Sequence, residues 1–252
     1  MTNKVALITG ASSGIGKATA QVFADYKFDV IICGRRQDRI EELADELQTK
    51  VNVYSLIFDV RDKNAVAKAI DSLPNSWKNI DILVNNAGNA HGLAPIHEGD
   101  LEDWDAMIDI NVKGLLYVTK AIIPQMVQRK TGHIVHVGSI AGVEAYPNGN
   151  VYCASKHAVD AINKSMRMDL HKYGIRVSAI NPGLVETEFS QVRFKGDTQK
   201  ADKVYQGYQP LQAQDIAETI LFMVTRPSHV NIADLLILPT DQAAATIVNK
   251  NN

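Results

Sequence analysis

A serine, a tyrosine and a lysine have the types and spacing needed to move a proton to or from an alcohol or ketone. They are Ser139, Tyr152 and Lys156. Tyr152 and Lys156 are four residues apart, so a helix would present them on one face. A phenol with a pKa of about 10 is a poor base at neutral pH, but a neighbouring ammonium stabilises the phenolate. We therefore expect Lys156 to activate Tyr152 as acid and base, with Ser139 holding the substrate oxygen.

The Tyr-x-x-x-Lys spacing by itself is weak, because it arises by chance in helices and would then be a surface pair. Its context strengthens the functional interpretation. Ser139 comes 13 residues before Tyr152 and two residues after a predicted strand. The chain also carries a glycine-rich turn near its start, so the three residues are candidates for one catalytic site.

The glycine-rich turn predicts a dinucleotide site. It follows a predicted strand, leads into a predicted helix, and consists of Gly10, Ala11, Ser12, Ser13, Gly14, Ile15 and Gly16. Glycines let the backbone approach a pyrophosphate, and the amides at a helix start bind its charge. A purely structural turn is one alternative. The Gly-x-Ser-x-Gly elbow of serine hydrolases is another, but no strand precedes the one that leads into this turn, so none is available to supply an oxyanion hole.

The residues after the second predicted strand favour NADP over NAD. NAD-specific folds place an acidic residue here for the ribose hydroxyls, whereas this chain has Arg35 and Arg36. Guanidiniums bind a 2′-phosphate through charge-assisted hydrogen bonds, and a carboxylate would repel it. A solvated arginine pair at the start of the next helix is the alternative. We expect NADP(H) as the cofactor.

Other predicted strands also end in candidate cofactor contacts. Asp59 and Val60 follow the third strand and are expected near the adenine, although Asp59 could instead cap the helix that starts near Lys63. The residues that follow the fourth strand are Asn86, Ala87 and Gly88. Ligands bind beyond the carboxyl ends of parallel strands, so these positions belong to the same predicted cleft.

Seven apolar runs alternate with helical periodicity along the chain. The predicted strands are residues 5–9, 29–33, 52–58, 82–85, 133–137, 176–181 and 235–238, and the predicted helices are 14–24, 37–49, 63–73, 104–128, 151–172 and 213–225. This alternation implies parallel strands joined by right-handed crossovers. We predict an α/β fold in which residues 1–252 form a single Rossmann-type domain, a doubly wound parallel sheet of seven strands with helices on both faces. Residues 184–210 lack a clear strand and are predicted to form a substrate lid.

The composition argues against several classes of protein. Among 252 residues, 46% are hydrophobic and 21% are charged, with a net charge of −2. Residues of both charges are interspersed, so the chain has no overall electrostatic field that would attract nucleic acid or an anionic membrane. The two cysteines, Cys33 and Cys153, lie far apart with no cluster at metal-ligand spacing, so no metal is expected. Without a secretory signal or a long apolar run, a cytoplasmic location is expected.

The motifs together resemble the classical short-chain dehydrogenase/reductase family over essentially the whole chain. The resemblance implies hydride transfer between a nicotinamide cofactor and a CH–OH group. It assigns Asn111, Ser139, Tyr152 and Lys156 to catalysis, with Asn111 helping to pass protons from Lys156 through water to bulk solvent. It also implies a homotetramer, because family members commonly pair their last strands and long helices.

The resemblance extends the expected cofactor site beyond the glycine turn and Asn86. It adds Tyr152 and Lys156, and a nicotinamide-side loop in which Thr187 touches the carboxamide. The loop residues are Pro182, Gly183, Val185 and Thr187.

Four stretches are similar to NADP-dependent 3-hydroxy acid dehydrogenases within the family: residues 34–36 with Arg39, 98–107, 187–197 and 229–232. The similarity implies substrates such as L-serine, L-allo-threonine or 3-hydroxypropionate, or the corresponding carbonyls. Their carboxylate needs a cation, for which Arg193 is the candidate, ahead of Lys195. An arginine tied to Asp197 or facing water is the alternative. A broad-range carbonyl or diketone reductase, a 3-oxoacyl reductase and a non-catalytic NADPH-binding sensor are the other functions considered.

Overall fold

A sheet of seven parallel strands forms the centre of the computed structural model, which describes residues 3–250. The strands of the chain are β1 (Val5–Thr9), β2 (Asp29–Gly34), β3 (Val53–Ile57), β4 (Ile82–Asn85), β5 (Gly132–Val137), β6 (Ile175–Pro182), β7 (Val185–Glu186), β8 (Leu211–Gln212), β9 (Asp234–Ile237), β10 (Gln242–Ala244) and β11 (Ile247–Val248). The large sheet has the order β3-β2-β1-β4-β5-β6-β9, so the winding reverses between β1 and β4. The predicted α/β fold is confirmed.

Helices cover both faces of the sheet. They are α1 (Gly14–Asp25), α2 (Gln37–Gln48), α3 (Lys63–Asp71), α4 (Leu101–Ile108), α5 (Leu115–Arg129), α6 (Asn150–Leu170), α7 (Phe189–Arg193), α8 (Thr198–Tyr205) and α9 (Ala213–Val224). Helices α1, α2 and α9 pack on one face, and α3, α5 and α6 pack on the other. Within residues 3–250, none of these helices combines the length and the apolar character that a membrane crossing requires.

The two faces of the sheet explain why its strands read as unbroken apolar runs. In β1, Ile8 belongs to the core beneath α1 and α9, whereas Leu7 belongs to the core beneath α5 and α6. Both side chains are fully buried. Burying an aliphatic side chain of this size contributes about 1.5–3 kcal/mol, and a strand with helices on both sides gains this at successive positions. This packing fixes the strand ends from which the site is built.

The predicted helix 104–128 is interrupted in the structure. Helix α4 starts earlier, at Leu101, where Asp100 accepts a hydrogen bond from the Glu102 amide. A π-helical segment, Asp109–Gly114, then separates α4 from α5. A π-helical turn holds more residues than an α-helical one, yet its apolar residues keep a helix-like spacing. The sequence pattern therefore predicted one continuous helix.

Residues 184–210 contain more regular structure than the sequence predicted. They include β7, which pairs with β8 just beyond the segment, as well as helices α7 and α8. Asp197 caps α8 by accepting a hydrogen bond from the Lys200 amide. The β10–β11 hairpin near the end of the chain was not predicted, because its strands are three and two residues long.

Candidate active site

A cleft of about 440 Å³ lies beyond the carboxyl ends of the central strands. Its lining includes the glycine turn, the arginines after β2, the residues after β4 and β5, the loop after β6 and part of residues 184–210. Three predicted site residues do not line it, namely Gly16, Asp59 and Asn111. The structure thus brings the other predicted residues to one cleft, as expected for the crossing point of a doubly wound sheet.

The glycine turn is shaped by close backbone approaches. Gly10 and Gly14 have φ angles of +67° and +51°, a region that suits glycine. A Cβ added at Gly10 would stand 2.9 Å from the Ala87 Cα, and one at Gly16 would stand 2.3 Å from the Gly10 carbonyl oxygen. Gly16 therefore allows α1 to pack against the turn, although it does not face the cleft.

The segment after β4 is locked to the glycine turn. The Thr9 hydroxyl accepts hydrogen bonds from the backbone amides of Asn86 and Ala87, at 3.1 and 3.0 Å. In return, the Asn86 side chain donates to the carbonyls of Thr9 and Gly10, at 2.9 and 3.2 Å. These bonds hold the glycine turn and the segment after β4 next to each other. This arrangement suits the close approach of a pyrophosphate.

Arg36 lies against the serines of the glycine turn. Its Nε and Nη2 atoms donate to the Ser12 hydroxyl at 3.2 and 3.0 Å, and Nη2 donates to the Ser13 hydroxyl at 2.7 Å. The partner of Ser12 is thus a permanent cation and cannot serve as the base of a hydrolase. A guanidinium beside two hydroxyls at the turn suits a phosphate of a dinucleotide.

Arg35 and Asp59 form a looser pair at the edge of the cleft. Their charged atoms are 3.4 Å apart, and the Arg35 side chain is 53% exposed. Asp59 is held more closely by Arg61, at 2.6 Å. It does not cap α3, because Asp62 accepts the first free amides of that helix. Val60 lines the cleft beside this pair.

Ser139 and Tyr152 meet on the opposite side of the cleft. Ser139 follows β5, and its backbone amide donates to the Asn181 side chain at 3.3 Å. Tyr152 is buried, with 7% of its surface exposed. Burial, together with nearby Tyr146, raises the pKa of the Tyr152 phenol, while a hydrogen bond with Ser139 and the charge of Arg193 lower it. Burial dominates, so the pKa of this phenol lies above its usual value.

Lys156 reaches the back of the cleft from α6. Its ammonium donates to the Val137 carbonyl at 2.9 Å, and burial lowers its pKa to about 8. Gly88 lies next to this ammonium, since a Cβ added at Gly88 would be 3.7 Å from the Nζ atom. The charge that lowers the pKa of Tyr152 is that of Arg193, not that of Lys156. Activation of Tyr152 by Lys156 stays a prediction.

Asn111 lies in the π-helical segment, behind Gly88. Its side chain accepts a hydrogen bond from the Asn89 amide at 2.8 Å and donates to the Asn89 carbonyl at 2.8 Å. It also donates to the Ser155 hydroxyl at 3.0 Å, and that hydroxyl donates to the Tyr152 carbonyl at 2.7 Å. Asn111 thereby ties the loop after β4 to the helix that carries Tyr152.

Arg193 is the cation of residues 184–210 that faces the cleft. It donates to the Tyr146 hydroxyl at 2.8 Å, and its guanidinium carbon lies 5.2 Å from the centre of the Tyr152 ring. The alternative pairing with Asp197 is not formed, since that carboxylate caps α8. Lys195 is engaged elsewhere, with its ammonium 3.0 Å from Asp103.

Several residues that line the cleft were not predicted from the sequence, among them the polar residues Tyr146, Glu188 and Gln242. Gln242 is 4% exposed, and its side-chain oxygen accepts a hydrogen bond from the Leu184 amide at 2.9 Å. Glu188 pairs with Arg36 and Arg39. No local pattern marks Tyr146 or Gln242, because each meets its partner across a long stretch of chain. Opposite charges on Glu188 and the arginines were the one available signal.

Comparison with protein families decides the class of this protein. The family model described as short chain dehydrogenase matches residues 4–198. The chain belongs to the short-chain dehydrogenase family. This confirms the predicted family, and the match spans the glycine turn, the Tyr-x-x-x-Lys pair and the loop after β6 of this short-chain dehydrogenase.

Similar proteins include curated enzymes and a solved structure. An NADP-dependent 3-hydroxy acid dehydrogenase of Escherichia coli (strain K12) is 47% identical over 96% of this chain and 97% of its own length. Sulfoacetaldehyde reductase 2 of Chromohalobacter salexigens is 45% identical over 95% of each chain. The closed form of a serine dehydrogenase complexed with NADP+ is 45% identical, covers 98% of this chain and 100% of its own, and has a TM-score of 0.92.

Proposed function

We propose that this short-chain dehydrogenase uses NADP(H) to oxidise the hydroxyl of small 3-hydroxy acids such as L-serine, L-allo-threonine or 3-hydroxypropionate, or to reduce the corresponding carbonyls. The observation that carries the proposal is the position of Arg193 over the Tyr152 ring, at 5.2 Å. A 3-hydroxy acid carries its carboxylate two bonds from the carbinol carbon. A cation beside the acid and base residue suits that arrangement of charge and hydroxyl.

The relatives support an anionic substrate. One is named for 3-hydroxy acids and another for sulfoacetaldehyde. In both substrate types, an acid group lies two bonds from the carbon that reacts. Arg193 donates its hydrogen bonds in a planar fork, which matches either a carboxylate or a sulfonate.

NADP(H) suits the nucleotide side of the cleft. The glycine turn would hold the pyrophosphate, and Arg35 and Arg36 would hold the 2′-phosphate. A relative is named as NADP-dependent, and the similar serine dehydrogenase structure is described as complexed with NADP+. When bound, the nicotinamide accepts or supplies the hydride.

Residues of the chain would accept and return the proton of the substrate oxygen. During oxidation, Tyr152 takes the proton of the substrate hydroxyl, and during reduction it returns one to the carbonyl oxygen. Ser139 holds the same substrate oxygen through its hydroxyl. Lys156, with a pKa of about 8, supplies a charge beside the site, and Asn111 fixes the loop and helix around it.

Residues 184–210 would act as a lid over the substrate within the single catalytic domain. A backbone hydrogen bond supports this role: the Gly92 amide, in the loop after β4, donates to the Arg193 carbonyl at 3.0 Å. The similar serine dehydrogenase with a TM-score of 0.92 is described as a closed form. We further propose a cytoplasmic homotetramer that pairs through α6 and β9.

The proposal is tested by following the absorbance of the reduced nicotinamide of NADPH with a panel of substrates. The panel contains 3-hydroxy acids, diketones and acyl thioesters, and compares 3-hydroxypropionate with its uncharged amide of the same size. We expect the acid to have a kcat/KM higher than the amide by roughly tenfold or more, since a hydrogen bond to a charged group is worth about 1.5–3 kcal/mol. Equal values would exclude carboxylate recognition. Faster turnover of diketones or acyl thioesters would favour a carbonyl or 3-oxoacyl reductase, and no turnover would favour a sensor.

A further inference from the structure

Glu188 ties residues 184–210 to the start of α2. Its carboxylate accepts a hydrogen bond from Arg36 Nη1 at 2.9 Å and another from Arg39 Nη1. The residue before it, Thr187, lies against the glycine turn, since a Cβ added at Gly14 would be 3.4 Å from the Thr187 Cβ. The segment therefore passes over the turn and ends in an ion pair at the arginine cluster.

The carboxylate of Glu188 is fully charged at neutral pH. Partial burial raises its pKa, but the hydrogen bonds and charges of Arg36 and Arg39 outweigh burial and hold the pKa below its ordinary value. Arg36 and Arg39 share this carboxylate, and the neighbouring Arg35 pairs more loosely with Asp59, at 3.4 Å. The positive charge of these arginines still attracts a phosphate. The Glu188 carboxylate, however, already accepts some of the hydrogen bonds that their guanidiniums can donate.

We propose that Glu188 competes with the 2′-phosphate of the cofactor for the guanidiniums of Arg36 and Arg39, and so sets how strongly the enzyme prefers NADP(H) to NAD(H). The inference rests on the proposed assignment of Arg36 to the 2′-phosphate. It does not depend on which substrate the enzyme uses.

The contacts of Arg36 explain the competition. Its Nε and Nη2 atoms bond Ser12 and Ser13, and its Nη1 atom bonds Glu188. A phosphate monoester carries about 1.5–2 negative charges at neutral pH, and it would stand beside a carboxylate on the same guanidinium. Either Arg36 leaves Glu188 for the phosphate or the two anions repel each other. In both cases Glu188 weakens binding of the phosphorylated nucleotide and leaves binding of NAD unaffected.

The first test measures nucleotide affinity by isothermal titration calorimetry, without substrate or turnover. Glu188→Gln keeps the size of the side chain and removes its charge. We expect NADP+ to bind roughly two- to fivefold more tightly to this variant, the range that follows from about 0.5–1 kcal/mol for a partly exposed ion pair, and NAD+ to bind as before. Weaker binding of NADP+, or equal changes for both nucleotides, would overturn the proposal.

Two further variants distinguish an error in the 2′-phosphate assignment from an error in the proposed competition. Glu186→Gln changes a nearby exposed glutamate whose carboxylate bonds Gln212, and it should leave both affinities unchanged. Arg36→Ala should weaken NADP+ binding more than NAD+ binding, because Arg36 also bonds the serines of the glycine turn that both nucleotides would contact. If Arg36→Ala left the ratio of the two affinities unchanged, the 2′-phosphate assignment itself would be wrong, and the competition would be refuted with it. A normal effect of Arg36→Ala with no effect of Glu188→Gln would refute the competition alone.

The second test follows amide hydrogen exchange in residues 188–193. It compares 2′,5′-ADP with 5′-AMP, which differ only in the 2′-phosphate and both lack the nicotinamide. If the phosphate displaces Glu188, exchange in this segment should be faster with 2′,5′-ADP, and Glu188→Gln should abolish the difference. Slower exchange with 2′,5′-ADP, or no difference in the wild-type protein, would contradict displacement.

Discussion

The guanidinium carbon of Arg193 lies 5.2 Å from the centre of the Tyr152 ring, within the range of a cation–π contact. The positive charge also lowers the pKa of the phenol against the stronger effect of burial. Because Tyr146 accepts a hydrogen bond from the same guanidinium, Arg193 is held in place before any substrate binds. In the proposed reaction, one cation would therefore affect both proton transfer at Tyr152 and the recognition of an anionic substrate.

Replacing Arg193 with alanine should raise the KM for 3-hydroxypropionate roughly tenfold to hundredfold, because a charge-assisted hydrogen bond contributes about 1.5–3 kcal/mol. Turnover of a neutral diketone should fall much less. Steady-state kinetics with NADP(H) measures both. Lys195→Ala is the matched control, since its ammonium pairs with Asp103 rather than facing the cleft. An unchanged KM for the acid would place carboxylate recognition at another residue.

Tyr152→Phe removes the proposed acid and base without changing the shape of the ring. Turnover should fall by a factor of about 10² to 10⁴, the usual contribution of general acid–base catalysis. Binding of NADP+ measured by titration should stay nearly unchanged. Tyr146→Phe removes a hydroxyl that contacts Arg193, so it should act mainly on the KM for acids. A Tyr152→Phe enzyme with near-normal turnover would refute the assignment.

The pH dependence of oxidation should report the raised pKa of Tyr152. Oxidation needs the phenolate and reduction needs the phenol, so oxidation should accelerate with rising pH through the neutral and alkaline range. Arg193→Gln removes a charge that favours the phenolate, and it should move the ascending limb to higher pH. The kcat/KM for a neutral alcohol, measured across pH, avoids the effect of this variant on acid binding. If the ascending limb of the pH profile does not move, Arg193 does not affect the pKa of the Tyr152 phenol.

Two buried histidines should make the fold sensitive to mild acid. Burial and nearby cations lower the pKa of His133 and His136 from 6.5 to about 3. Below about pH 6.5 the unfolded chain binds protons at both imidazoles, whereas the folded chain does not until near pH 3. The free energy of unfolding should therefore fall with decreasing pH, by up to about 1.4 kcal/mol per pH unit for each histidine.

Urea unfolding between about pH 5 and pH 7.5 measures this dependence. His136→Gln should reduce the slope, because one buried imidazole no longer takes up a proton on unfolding. His97→Gln is the control, since the His97 side chain is 74% exposed. If His136→Gln has the same slope as the wild-type protein, the imidazole of His136 does not contribute to the acid sensitivity.

The sequence predicted the sheet and the strand ends better than the contacts between distant segments. Apolar runs such as residues 82–85 identify strands, because burial on both faces leaves a simple pattern. Arg193 was named because a 3-hydroxy acid needs a cation and this arginine lies in the segment after β6; it lines the cleft, and its role in binding substrate stays a prediction. The link between Glu188 and Arg36 was missed, since 152 residues separate them. The direction of the Lys156 ammonium, toward the Val137 carbonyl, depends on packing that no local pattern records.

The π-helical segment at Asp109–Gly114 makes this part of the chain intolerant of length changes. A π-helical turn closes over one residue more than an α-helical turn, so loss of a single codon here would let the segment close to α-helical geometry and would shift the side chains that it carries. Met107, which packs with Tyr152, and Asn111, which bonds Asn89, could then no longer both face inward. A one-residue deletion would leave the surrounding sheet intact and misdirect these two side chains.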